Sequence, residues 1–292
     1  MKSKDEIKKY NLHLHTNFST CADKNNSWEK LLKLLDDNGF NQIAITDHNT
    51  CIFHLINMYR DTTRFYKGEI ISGIECDVCE DGISFEVLGY NFDVMKIFNW
   101  SYRRYGTPSE RYQKIKNVLL EKVLKNNLKI GDGEFDYKNE YAHQYIYNEM
   151  IKIEENKNFF AKYNIENYGH FYRLSTTCKS FPLYVDMKNF FPNLKEVVKM
   201  LNDAGGIAVL AHPYNYGENL DVERLLSIVV ENNINGIEVF HPSVNSEQID
   251  YLINFAKKHN LIITGGSDYH GNEYRSQIEV PNIDYSKYKI DF

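Results

Sequence analysis

Residues 261–271 read LIITGGSDYHG. An apolar, β-favouring run enters two glycines, and just beyond them an Asp and a His stand two positions apart. Side chains alternate along a strand, so residues i and i+2 share a side. If the extended geometry persists past Thr264, Asp268 and His270 reach one common point. Such a pair is a site only if other segments supply partners for it, so the remaining strands have to be found and their ends read.

Six further runs have strand character: YNLHLHT (10–16), QIAITD (42–47), EIISGIE (69–75), ISFEVLGY (83–90), GIAVLAH (206–212) and NGIEVF (235–240). Amphipathic segments separate many of them. In SWEKLLKLLDDNGF (27–40) the apolar positions fall at 28, 31, 32, 34 and 35, and the pattern stops at Asn38-Gly39, a helix C-terminal signal. NLKEVVKMLNDAGG (193–206) repeats the plan, as do DVERLLSIVVENNING and SEQIDYLINFAKKHN. Strand–helix alternation predicts an α/β protein with a largely parallel sheet, and seven strands favour a closed or nearly closed barrel over an open sheet. The interval 94–205 breaks the rhythm. It is polar and helix-rich (RYQKIKNVLLEKVLKNN, YAHQYIYNEMIKIEEN), with GDGEF and STTCKSFP read as loops. The expected organisation is a barrel domain from 1–94 and 196–292, with a helical subdomain inserted at 95–195.

Composition narrows the function classes. The formal net charge of −6 over 292 residues argues against a partner such as long nucleic acid, but not against a small phosphorylated substrate held by a few cations. MKSKDEIKKY lacks an apolar leader region and no run approaches membrane-spanning length, so a cytoplasmic protein without membrane contact is expected. The five cysteines are odd in number and form no zinc-ribbon spacing; CDVC (76–79) reads as incidental reduced thiols. The 22 tyrosines read mainly as packing residues. No P-loop and no nucleophile elbow occurs.

The strand ends are what stand out. His13 and His15 share a face by the i, i+2 rule. TDH offers Asp47 and His48, GIE ends in Glu75, and IAVLAHP ends in His212 before a strand-stopping proline. Together with Asp268 and His270, five strand ends present imidazoles and carboxylates where barrel folds place their chemistry. Such a set suits zinc, iron or manganese, and this many ligands call for more than one ion.

In this order, the stretches NLHLHTNFS, GFNQIAITDHNT, GIE, VLGYNF, AGGIAVLAHPYN, GIEVFHP and LIITGGSDYHG resemble the PHP (polymerase and histidinol phosphatase) superfamily of metal-dependent phosphoesterases, over residues 11–271. The resemblance implies a distorted (β/α)7 TIM-like barrel with two or three divalent metal ions (Mn, Zn or Fe). RYQKI before a helix, with AGGIAVLAHP after a helical insertion, is most similar to the stand-alone branch acting on nucleotide 3′-phosphates and short RNA. Carried over by position, His13, His15, Glu75 and Asp268 would surround one ion. Glu75 would bridge to a second that also takes His212, and His48 and His270 would hold the third. Two positions depart from the pattern. STCAD (19–23) replaces the usual SDG, leaving Cys21 or Asp23 as the ligand there; a thiolate would favour zinc or iron, and Asp23 manganese. Glu86 stands where relatives carry a His, and a carboxylate can still ligate.

Arg111 and Lys114 match a basic pair of the nucleotide-phosphatase branch, and His143 falls where that branch has an Arg. These three are the substrate-binding candidates, with a solvated helix face as the alternative for the pair. His241 either faces the substrate, where it would protonate the leaving group, or makes a structural hydrogen bond. Asp47 either orients a ligand imidazole or caps the following helix. The implied chemistry is attack of metal-bound hydroxide on a phosphomonoester, in a nucleotide 3′-phosphate or a short oligonucleotide. Histidinol-phosphate phosphatase and a non-catalytic metal-binding PHP module are the alternatives. An amidohydrolase barrel also begins H-x-H, but SDYH together with TDH argues against it.

Overall fold

The computed structural model describes residues 8–138, 140–216, 221–288 and 290; residues 1–7, within the stretch read above for a leader, lie outside them. Seven strands form one sheet in chain order: β1 (Tyr10–Asn11), β2 (Gln42–Ile45), β3 (Glu69–Glu80), β4 (Ile83–Tyr90), β5 (Ile207–Leu210), β6 (Gly236–Phe240) and β7 (Ile262–Gly265). Each corresponds to an expected run. Pairing is parallel except around β4, which is antiparallel to both neighbours. The reversal is made at Asp81-Gly82, whose φ values of 50° and 75° are those of a tight hairpin turn.

Ten helices lie between or beside the strands among the described residues: α1 (Trp28–Asp37), α2 (Ile52–Asn57), α3 (Val94–Tyr105), α4 (Pro108–Lys125), α5 (Ala142–Ile151), α6 (Lys157–Lys162), α7 (Tyr168–Thr177), α8 (Leu194–Asp203), α9 (Val222–Glu231) and α10 (Ser246–His259). None is long and apolar enough to cross a membrane. α1 shows why the chain folds this way locally. Its buried face (Trp28, Leu31, Leu32, Leu35) packs with Ile43 and Ile45 of β2, and the helix gives way to Gly39 at φ +71°.

The sheet closes where β1 meets β7. Leu12 N donates to Gly265 O (3.2 Å), Asp268 N to His13 O (2.9 Å) and His15 N to Tyr269 O (2.9 Å), and Leu14 bridges Tyr269 in parallel. Tyr10, Leu12, Ala44, Leu88, Tyr90 and Val209, from four different strands and the chain just after β1, fill the interior in one cluster. Across it the Tyr90 hydroxyl donates to Leu12 O at 2.8 Å.

Between β4 and β5 the chain runs through α3–α8. Tyr112, Ile115, Leu119, Ile146 and Phe171 from these helices share one apolar cluster with Val78, Phe85 and Val87 of the sheet. One local expectation fails there: STTCKSFP is not all loop, because Ser175, Thr176 and Thr177 form the last turn of α7. Their hydroxyls bond back to the carbonyls of Phe171, Tyr172 and Arg173 at 2.7–2.9 Å, satisfying inside the helix the groups that otherwise favour a loop.

The closing seam leaves no room for a side chain at Gly266. A Cβ there would lie 2.1 Å from His13 Cβ and 2.6 Å from His13 N, atoms that the closed seam holds in place. Gly266→Ala is therefore expected to destabilise the fold by about 3 kcal/mol, measured as a lowered thermal or denaturant midpoint; an unchanged midpoint would contradict closure at this seam.

Candidate metal centre

His13 lies just past β1, its ring fully buried. Its Nδ1 meets Glu238 of β6 (3.0 and 3.2 Å to the two carboxylate oxygens), and Glu238 also accepts His212 N at 2.9 Å. The Nδ1–H of His13 donates to this carboxylate, which turns Nε2 towards the site. His15 is fixed by a second device: its Nδ1 contacts Ser19 Oγ (3.1 Å), Ser19 donates to Asp47 Oδ1 (2.7 Å), and Asp47 also accepts Thr16 N and Oγ1 (2.8 and 2.7 Å). Asp47 thus holds the turn after β1 and acts on His15 through Ser19. It caps no helix: α2 starts at Ile52, after Cys51.

Around these rings the carboxylates converge. Glu75 Oε2 lies 3.3 Å from His13 Nε2, 3.2 Å from His15 Nε2 and 3.3 Å from His48 Nε2; Glu75 Oε1 lies 3.1 Å from His212 Nε2. Asp268 Oδ1 lies 3.3 and 3.1 Å from His13 and His15 Nε2. Yet His13 Nε2, His15 Nε2, Glu75 Oε2 and Asp268 Oδ1 are buried without a hydrogen bond. Buried polar atoms without partners are costly, and four of them aimed at one point have the form of a metal-ligand shell.

Ligand atoms lie within 4.8 Å of one another in four sets: His13, His15, Glu75 and Asp268; Glu75, Glu86 and His212; His15, Cys21, His48 and His270; and His13, His212 and His241. The first two combine imidazole with carboxylate, a donor set that fits divalent ions of the zinc, iron or manganese kind.

The electrostatics favour ionised carboxylates at the centre; at His13 and His15 burial is outweighed by the facing carboxylates, which raise both imidazoles above their usual value. Burial pushes the Glu75 carboxyl up, but the His48 and His13 imidazoles together outweigh it and hold the group well below the usual carboxylate range. At Asp268 burial is likewise outweighed, here by Arg275 and His13. Burial pushes His48 down to about 4 and drives His270 well below its usual value, leaving neutral rings with a free lone pair.

Asp268 and His270 do not converge by strand alternation. β7 ends at Gly265 and Asp268 has φ +51°, so a left-handed turn aims the two side chains. His270 Nδ1 bonds Asp268 O (2.7 Å) while its Nε2 faces Cys21 Sγ at 3.0 Å. Cys21 is therefore in the centre and Asp23 is not: the Asp23 carboxylate accepts Asn25 N at 2.6 Å in a local turn. Glu86 reaches the centre from the middle of β4, whose reversed direction brings its interior residues to this rim. His241, after β6, has Nε2 3.3 Å from Asp268 Oδ2, while its Nδ1 accepts Ser243 N (3.0 Å) and meets Ser243 Oγ (2.8 Å).

An open cleft of about 1100 Å³ lies over the centre. His143 lines it, buried with Nε2 unpartnered, and burial lowers its pKa to about 3. The expected basic pair does not. Arg111 turns inward and donates to Tyr105 O at 2.9 Å, and Lys114 is exposed on the outer side of α4. The cations of the cleft are instead Arg173 of α7 and Arg275, the latter paired with Asp268. Sequence reasoning missed both arginines, and also Glu238. The signal for Glu238 was a charge inside the apolar strand GIEVF; for Arg173 no local signal exists.

The PHP domain family matches residues 11–208. Among curated relatives, the phosphoribosyl 1,2-cyclic phosphate 1,2-diphosphodiesterase of Eggerthella lenta is 24% identical, covering 94% of this chain and 97% of that protein. The 5′-3′ exoribonuclease of Haemophilus influenzae is 23% identical, covering 90% of each. Among solved structures, a candidate metal-dependent phosphoesterase from Bifidobacterium adolescentis has a TM-score of 0.62 at 21% identity, covering 94% of this chain and 91% of that one. An amidohydrolase from Chromobacterium violaceum reaches 0.60 at 19%, covering 90% and 87%. The two structural likenesses speak for the fold, and the family match spans well over half of the sequence: the chain belongs to the PHP family.

Proposed function

We propose that the protein is a metal-dependent phosphoesterase that hydrolyses a phosphoester of a nucleotide or short oligonucleotide, a nucleotide 3′-phosphate foremost. The observation that carries this reading is the set of four buried donor atoms without hydrogen bonds, on His13, His15, Glu75 and Asp268, of which Glu75 also lines a wide cleft. Two relatives bear names of ribose-phosphate chemistry, a cyclic phosphodiesterase and an exoribonuclease, which supports the substrate class.

His13, His15, Glu75 and Asp268 would hold one ion, Glu75 with Glu86 and His212 a second, and His48 with His270 and Cys21 a third. Bound divalent ions neutralise phosphoryl oxygens and lower the pKa of coordinated water. The chain's own residues position and exchange protons. Glu238 keeps the His13 lone pair turned to the centre, and Ser19 with Asp47 does the same for His15. His241 accepts the Ser243 backbone N–H at Nδ1, so the proton of the neutral ring sits on Nε2, beside Asp268. Burial lowers the pKa of His241, which keeps it neutral. The N–H held there can donate a hydrogen bond to an oxygen on which negative charge develops. Arg173 is 17% exposed, stacks on the Tyr216 ring at 5.0 Å and lies 3.9 Å from Glu86 Oε1 as an ion pair, with no hydrogen bond through its guanidinium among the described residues. Its N–H donors are free to bind a phosphoryl oxygen, and cleft tyrosines such as Tyr168 and Tyr172 offer faces for a base or sugar.

The decisive experiment is phosphate release from a nucleoside 3′,5′-bisphosphate, histidinol phosphate and a short 5′-phosphorylated RNA, with manganese and with a chelator. Turnover of the nucleotide or RNA that the chelator abolishes and manganese restores is expected; preference for histidinol phosphate would replace the substrate assignment. Silence across the panel with metal bound would leave a binding module. His13→Ala should cost at least about 100-fold in kcat/KM, together with metal content.

Removing the guanidinium, Arg173→Met should lower kcat/KM by about 30-fold, mostly through KM, because it deletes a charge-assisted contact to substrate and leaves the metal ligands in place. A fall confined to kcat would contradict this role. Glu238→Gln should weaken metal affinity by roughly 10- to 100-fold with the fold intact, measured by metal titration, since it unsettles the tautomer of His13.

A further inference from the structure

Resting on the reading of the centre as a metal site, we propose that Cys21, His48 and His270 form a soft-ion corner that takes zinc or a similarly thiophilic divalent ion, while the carboxylate-rich sets around Glu75 take harder ions such as manganese. The loaded protein is then heterometallic, with the thiolate as the selecting ligand.

The donor chemistry separates the corners. Cys21, His48 and His270, with His15 in reach, contribute sulfur and imidazole nitrogen and no carboxylate, whereas the two sets around Glu75 each contain two carboxylates. The one acidic side chain of the same loop, Asp23, is engaged with Asn25 N. Thiolate and imidazole favour zinc over manganese, and carboxylate the reverse.

The corner is built before any ion arrives. The Nδ1–H of His270 donates to Asp268 O at 2.7 Å, which leaves the Nε2 lone pair facing Cys21 Sγ at 3.0 Å. His15 Nε2, fully buried and without a hydrogen bond, lies within the same 4.8 Å set. The loop carrying Cys21 is latched to the His270 segment from both sides. Asp23 N donates to His270 O (2.9 Å) and Asn272 Nδ2 to Cys21 O (3.1 Å). Loading breaks the Cys21 S–H bond: the electron pair goes to the ion and the proton to solvent. Cys51, Cys76, Cys79 and Cys178 belong to no ligand set, so a thiolate signal has one source.

The test is reconstitution of the chelator-stripped full chain with cobalt(II), followed by absorption spectroscopy. A near-ultraviolet sulfur-to-cobalt charge-transfer band is expected, lost in Cys21→Ser while the visible d–d bands of the other corners persist. In dialysis against equimolar zinc and manganese, wild type should retain zinc alongside manganese. Cys21→Ser should bind that zinc roughly 100-fold more weakly, and Cys21→Asp should hold manganese in its place. Cobalt bound without the band in wild type, a band that survives Cys21→Ser, or manganese filling every site against zinc would each overturn the inference while leaving the metal centre intact. The wild-type measurements decide even if Cys21→Ser fails to fold. Binding of no metal at all would instead overturn the reading of the centre itself.

Discussion

The seam that closes the barrel is also the floor of the metal centre. The hydrogen bonds from Asp268 N to His13 O and from His15 N to Tyr269 O join the first strand to the last, and three of the four residues involved carry candidate ligands. Fold and site are therefore not separable parts. A chain that fails to close scatters its ligands, and a chain that closes brings imidazoles and carboxylates together whether or not an ion is present. Gly266 records this constraint, because only its missing side chain lets the seam approach His13 so closely.

Crowding buried ionisable groups is unfavourable without a partner, since each loses hydration that the protein interior does not restore. The chain offsets part of this with fixed companions: Glu238 for His13, Ser19 and Asp47 for His15, Arg275 for Asp268. What they leave unsatisfied are the atoms that face inward. Ion binding and folding are then linked, because an ion that satisfies those atoms stabilises the closed barrel against the unfolded chain. The left-handed backbone at His212 (φ 24°) and Asp268 (φ 51°) fits the same picture of local strain held in place by closure.

Substrate recognition follows a different logic from metal binding. The candidate ligands come mostly from within strands or just past their ends, whose order and spacing are constrained by the barrel, whereas the cleft wall comes largely from the helices between β4 and β5. There Arg111 is drawn inward by the Tyr105 carbonyl, His143 is buried uncharged, and the guanidinium of Arg173 lines the cleft beside Glu86. A positive charge near the centre is retained, but from a different helix than the local motif indicated.

This division explains what could be read in advance. The seven strands, the helices with their Gly or Asn stops and most of the candidate ligands were legible because each depends on a short-range pattern: apolar periodicity, an H-x-H pair, a His before Pro. The choice between Cys21 and Asp23, the tautomers set by Glu238 and Ser19, the turn that aims Asp268, and the exchange of Arg111 for Arg173 were not, since each depends on which distant group a side chain meets after closure. Sequence alone determined the barrel and the kind of chemistry, through local backbone preference and the alternation of side chains along strands. Only the tertiary structure decided which donor atoms converge and which cation lines the cleft, because those are fixed by contacts between residues as far apart as Cys21 and His270.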